Sequence, residues 1–236
     1  MSINSSLLGI RAIIFDAVGT LIHPQPSAGA VYAEIGKRFG SKLTEIEIGH
    51  RFRAAFAHED AIDRKLNWQT SEERELLRWR RIVATVLDDV HEPDACFAEL
   101  YSHFADPSGW RCDSDAGSMI DSILKNDLKV GLASNLDHRL HTVLAGFPEL
   151  KALRPVIISS EIGWRKPAMQ FFGKISQAIG LAAAEILYVG DDWTNDYEGA
   201  RCFGMRAIMI DPLKESRVTE TASIKRLGEL RELMVL

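Results

Sequence analysis

Short apolar runs that stop at small polar or acidic residues punctuate this chain. Ile13–Phe15, Lys129–Ala133, Pro155–Ile158, Ile186–Val189 and Arg206–Ile210 read as buried strands. From about Asp113 onward they alternate with stretches of helical periodicity, which implies right-handed crossovers and a parallel sheet. The stretch between the first strand and Asp113 is different. A proline-containing linker, His23–Ser27, is followed by helical periodicity up to about Trp110. Within it Thr70 and Glu73 have the spacing of a capping box. Beyond them Leu76, Trp79, Val83, Val86 and Val90 recur every three or four residues as one apolar face. Arg78, Arg80 and Arg81 fall between them and are expected on a solvated face. The pattern predicts an α/β fold with a doubly wound parallel sheet and one helical insertion. The expected core is residues 1–21 and 111–236, and the expected insertion is residues 22–110.

The ends of the strands carry the candidate chemistry. Asp16 follows Phe15 directly, and Gly19 permits a tight turn just beyond. A carboxylate there points into the crevice where open α/β sheets bind ligands, although an isolated Asp serves equally well to cap a turn. The run Lys129–Ala133 ends in Ser134-Asn135, and Ile186–Val189 ends in Gly190-Asp191-Asp192, with Asp196 close behind. Between them lies a basic loop, Gly163-Trp164-Arg165-Lys166-Pro167, whose proline suits the first turn of a following helix. A parallel sheet would gather a carboxylate, a hydroxyl with an amide, and an acidic cluster at one edge. The acidic run is not a calcium loop, because Tyr197 stands where that loop needs glycine and Phe203 where it needs glutamate. His138 and His141 share a helical spacing but have no third ligand.

Composition narrows the function classes. The 236 residues, 46% hydrophobic and 26% charged, fit an ordinary globular protein large enough for a real core. A net charge of −5 gives no support to nucleic-acid binding. Cys96, Cys112 and Cys202 are few, odd in number and widely spaced, which suits free thiols in a reducing compartment. Neither a secretory signal nor a membrane span stands out, so a cytoplasmic location and no membrane partner are expected.

Asp16…Thr20, Ser134-Asn135, Lys166-Pro167 and Gly190-Asp191…Asp196 occur in the order of the haloacid dehalogenase-like hydrolases, mostly phosphatases. The chain resembles that superfamily over roughly residues 10–21 and 112–212. The branch with a helical cap after the first motif fits best. Within it, the rhythmically-expressed-gene-like hydrolases are most similar. The resemblance implies Asp16 as nucleophile, forming an aspartyl phosphate on a small phosphorylated substrate. It implies Mg²⁺ held by Asp16, Asp191 and the Val18 carbonyl. Lys166 would neutralise Asp16 and the phosphoryl group. The Ser134 hydroxyl and the Asn135 backbone amide would bind phosphoryl oxygens. Thr20 would order the first loop, and Asp196 would support the metal shell.

Val18 departs from the family pattern. Most of its phosphatases carry there an Asp that protonates the leaving group and then activates water. Three readings follow: a magnesium-dependent phosphatase with altered acid/base chemistry, a metal-free 2-haloacid dehalogenase, and a non-catalytic binding protein on the same core. Dehalogenases also lack the second Asp, but they typically replace the acidic residues of the last motif. An Asp191 carboxylate beside Asp16 without a cation is costly, which favours magnesium.

Overall fold

The computed structural model describes residues 8–212 and 222–234. The chain opens with β1 (Ala12–Phe15) and β2 (Ile22–Pro24), followed by α1 (Ala28–Arg38), α2 (Glu45–Lys65), α3 (Glu72–Val86) and α4 (Pro93–His103). After β3 (Trp110–Cys112) come α5 (Ala116–Lys125), β4 (Lys129–Ser134), α6 (Arg139–Ala145), β5 (Val156–Ile158), α7 (Ser159–Ile162) and α8 (Met169–Ile179). The remainder is β6 (Ile186–Gly190), α9 (Gly199–Phe203), β7 (Arg206–Ile210), β8 (Ser223–Ile224) and α10 (Leu230–Met234).

Six strands form one parallel sheet in the order β5-β4-β1-β6-β7-β8. Each central strand buries both faces, so its sequence is continuously apolar. Ile13 and Phe15 pack with Leu132, Leu187 and Val189 beneath α5, α6 and α10. Ala12 and Ile14 face the other way, with Ile186 and Tyr188, against Phe171, Phe172 and Ile175 of α8. The fold is therefore a doubly wound, Rossmann-like α/β sheet. Strands β4 and β5 lie on one side of β1, and β6, β7 and β8 on the other. The chain reverses direction beside β1, where such sheets open a ligand crevice.

The four helices α1 to α4 pack around a core of their own, including Tyr32, Ile48, Ile82, Val86 and Leu100. They are joined to the sheet through an antiparallel ribbon of β2 and β3. That ribbon corrects the reading of His23–Ser27 as plain linker. Pro24 is tolerated because a two-stranded ribbon leaves edge positions where no N–H is needed.

Other local expectations are corrected too. Ser71, not Thr70, caps α3, accepting from Arg74 N at 3.2 Å, while the Thr70 hydroxyl donates to Glu75 at 2.8 Å. The reciprocal capping box lies instead at Thr44 and Glu47, where α2 begins. Leu76 is 41% exposed, and Val90 lies beyond the end of α3. Arg78 is fully buried, the reverse of a solvated arginine. Its Nε donates to Asp63 at 3.1 Å, its Nη2 pairs with Asp60, and its guanidinium sits over Phe56. The acidic face of α2 takes up the charge, so the long stem packs as a hydrophobe. Pro167 lies one residue before the Ala168 N-cap of α8 rather than in its first turn.

The same ionic cluster reaches the sheet domain. Arg165 is buried, pairs with Glu75, and lies 3.5 Å from Asp63. Thr70 N donates to Gly163 O at 3.1 Å, and Arg165 N to Trp68 O at 2.9 Å. Helices α2 and α3 thus brace the loop that carries Lys166.

Candidate active site

The sheet register gathers the site. Phe15 is level with Leu132 and with Val189, so Asp16 emerges between the ends of β4 and β6. Its own N–H donates to Val189 O at 2.8 Å. One residue further along, β4 ends at buried Ser134, and β6 gives way to Asp191.

Lys166 is buried and bridges two carboxylates. Its Nζ lies 2.6 Å from Asp16 Oδ1 and 2.6 Å from Asp196 Oδ1. Burial alone would lower the ammonium pKa, but the Asp16 and Asp196 charges outweigh it and hold it well above the ordinary range. Lys166 is therefore a fixed positive charge. Burial raises the Asp196 carboxyl, with Lys166 opposing. The second Asp196 oxygen accepts from Asp192 N at 3.0 Å. Asp192 itself is exposed and caps the next helical turn by accepting from Asn195 N at 2.7 Å.

Asp191 stands at the open mouth of the crevice. Loss of hydration pushes its pKa up to about 8, with the Asp16 and Asp196 charges acting in the same direction. Ligand oxygens of Asp16, Asp191 and Asp196 lie within 4.8 Å of one another. Two glycines make room for this crowding. Gly19 has φ +90°, and a Cβ there would fall 2.2 Å from Asp191 Oδ2. A Cβ on Gly190 would fall 2.3 Å from Asp196 Oδ2. Three carboxylates facing one lysine are an all-oxygen, net-negative donor set, and that fits a hard cation such as Mg²⁺.

Asn135 has a further role that the motif alone does not reveal. Its side-chain Oδ1 accepts from Lys166 N at 2.7 Å, and its Nδ2 donates to Lys166 O at 3.1 Å. It clamps the backbone of the lysine loop to the end of β4. Tyr188 is a second residue missed in the sequence. Its hydroxyl donates to Ala133 O at 2.6 Å, and its ring lies 5.5 Å from Lys166 Nζ. Its alternation with Leu187 and Val189 in β6 marks it only as core.

Thr20 is buried, but its hydroxyl has no hydrogen-bond partner among the described residues. The first loop is closed by backbone instead, with Leu21 N and Ile22 N both donating to Ala17 O. Val18 is half-buried against the core beneath α5 and α6. His23 pairs with Asp113 at 3.6 Å on the ribbon, and burial lowers its pKa. His138 and His141 pair with separate carboxylates, Glu72 and Glu161, each at 2.6–2.7 Å.

The profile of the haloacid dehalogenase-like hydrolases matches residues 10–204. The chain belongs to that family. Haloacid dehalogenase-like hydrolase domain-containing protein 3 of Danio rerio is 25% identical over 207 residues, covering 86% of this chain and 85% of the relative. Rhythmically expressed gene 2 protein of Drosophila melanogaster is 26% identical over 219 residues, covering 87% and 84%. These relatives match the cap-containing branch to which the motifs point. Among solved structures, a HAD phosphatase from Thermococcus onnurineus superposes with TM-score 0.68 at 21% identity, covering 96% of this chain and 98% of that one. L-2-haloacid dehalogenase from Xanthobacter autotrophicus gives TM-score 0.74 at 16% identity, covering 95% and 98%. Both likenesses establish the fold and do not separate the two chemistries. Among the described residues no helix is long and apolar enough to cross a membrane.

Proposed function

We propose that this hydrolase is a magnesium-dependent phosphatase that works through an aspartyl phosphate on Asp16. The observation that carries the proposal is the Asp16–Asp191–Asp196 cluster facing the buried Lys166 ammonium. In this reading α1 to α4 form the cap over the site. Asp16, Asp191 and the Val18 carbonyl would hold Mg²⁺, which when bound supplies positive charge to offset carboxylate–phosphate repulsion.

The protein's own groups account for the remaining chemistry. Lys166 fixes Asp16 through Oδ1, leaving Oδ2 to attack phosphorus. The new O–P bond forms as the bond to the leaving oxygen breaks, and that oxygen departs with the electron pair. Ser134 Oγ and Asn135 N donate to the phosphoryl oxygens where charge spreads in the transition state. Asn135 also keeps Lys166 in register through its paired amide bonds. Water then cleaves the acyl phosphate, releasing phosphate and restoring Asp16. Val18 can neither donate nor accept a proton, so the leaving oxygen takes its proton from solvent.

Isothermal titration with Mg²⁺ tests the metal assignment. Asp191→Asn should weaken binding strongly, and undiminished binding would remove it. The dehalogenase reading keeps one supporting observation, the valine at position 18. It requires chloride release from 2-chloropropionate that EDTA does not affect.

A further inference from the structure

Next to the catalytic loops lies a partly open cavity of about 240 Å³ between the sheet and the helical insertion. Val18 and Asn135 line it from the strand ends, Tyr32, Phe56 and Trp79 from the helices, and Trp110 from the ribbon. The aromatic rings form a continuous wall. Tyr32 packs edge-on to Phe52 at 5.5 Å, Phe52 stacks on Phe56 at 5.2 Å, and Phe56 meets Trp79 at 5.8 Å.

Polar groups in this wall are few and mostly engaged. Arg139 is its one charged side chain, and it is locked to Asp137 by two bonds of 2.8 and 2.7 Å and lies over Tyr101. The Asn135 amide is spent on the Lys166 loop. What is left is the Tyr32 hydroxyl and the Trp79 indole N–H, each on a ring.

We infer that this cavity holds the leaving group of the substrate, and that the leaving group is apolar and ring-sized. The inference rests on the phosphatase reading above and adds the substrate class. An apolar cavity of about 150 Å³ is enough to take up benzene, so this one accommodates a phenyl ring with a short tether. A polyhydroxylated alcohol would have to leave water for a wall whose two free groups, the Tyr32 hydroxyl and the Trp79 N–H, replace only a few of its hydrogen bonds, and unmatched polar groups are strongly discriminated against. Val18 belongs to the same wall. The side chain that replaces the usual carboxyl is thus part of the apolar surface.

Two alkyl esters with leaving alcohols of similar acidity separate pocket fit from intrinsic reactivity. With Mg²⁺, kcat/KM for 2-phenylethyl phosphate should exceed that for glycerol 1-phosphate by about tenfold or more, the scale of burying one large apolar group. Ala28→Phe, which fills the cavity from the start of α1, should abolish the preference. Acetyl phosphate, whose small leaving group needs neither pocket nor acid, reports the phosphatase itself. Turnover of acetyl phosphate with no preference between the alkyl esters would overturn the pocket assignment alone. If no phosphate compound turns over, the phosphatase reading falls. Binding then decides the pocket: phenylphosphonate held more tightly than methylphosphonate supports it, and equal affinity overturns it.

Discussion

Replacing Lys166 by methionine should leave two buried carboxylates, Asp16 and Asp196, without the cation that each contacts at 2.6 Å. Methionine keeps most of the side-chain volume, so the perturbation is chiefly electrostatic. Breaking a buried pair by removing one partner costs about 3–5 kcal/mol. For a chain of this length about 2–4 °C of Tm accompanies each kcal/mol, so a fall of about 6–20 °C is expected in EDTA. Combining Lys166→Met with Asp16→Asn removes one of the stranded charges and should recover part of the loss. Mg²⁺ should raise the Tm of Lys166→Met by more than it raises wild type, because the cation then faces uncompensated carboxylates. Thermal and urea unfolding of the four proteins measures all three effects. A loss below about 1 kcal/mol, or strict additivity in the double variant, would refute the reasoning, because contacting charges should couple.

Two further predictions concern the proton chemistry. Val18→Asp should raise turnover on alkyl phosphates more than on nitrophenyl phosphate, up to the 10²–10⁴-fold scale of about one general acid, as steady-state kinetics would show; a wild-type enzyme already fast on alkyl esters would mean that another residue supplies the proton. Asp191 has a folded pKa raised to about 8, so its contribution to stability is fully present below the ordinary carboxylate value near 4 and is lost progressively as pH rises to about 8. Between about pH 4 and 8 the Tm in EDTA should therefore fall and then level off, and the fall should be shallower in Asp191→Asn or with Mg²⁺; equal slopes in all three would rule out the carboxylate cluster as the cause.

The central strands were legible because each is buried on both faces and so reads as a continuous apolar run. Arg206–Ile210 matches β7 residue for residue. The edge strand β8, Ser223–Ile224, was not legible, since two residues carry no periodicity. Ribbon strand β2 was hidden by its proline. Arg78 was misread because spacing reports which face of α3 a residue occupies, not whether α2 offers Asp60 and Asp63 to receive the charge. At the site, Asp16, Ser134, Lys166 and Asp191 lie at strand ends and on a connecting loop, where short motifs mark them. Asn135 was legible as a motif residue, but its bonds to the Lys166 backbone span 31 positions and depend on tertiary contact. Tyr188 looks like any core aromatic until its hydroxyl is traced to Ala133. The aromatic cavity was hidden most completely. Its wall combines residues from β2, β3, four helices and three loops, and no local pattern joins them.

The central claim, a phosphoryl group carried on Asp16, is tested most directly by covalent labelling. Wild-type protein is mixed with radiolabelled acetyl phosphate and Mg²⁺, quenched in acid and mapped by peptide. The account predicts label on the peptide containing Asp16, none in Asp16→Asn, and little without Mg²⁺. Unlabelled protein that turns over acetyl phosphate, or label that persists in Asp16→Asn, would contradict it.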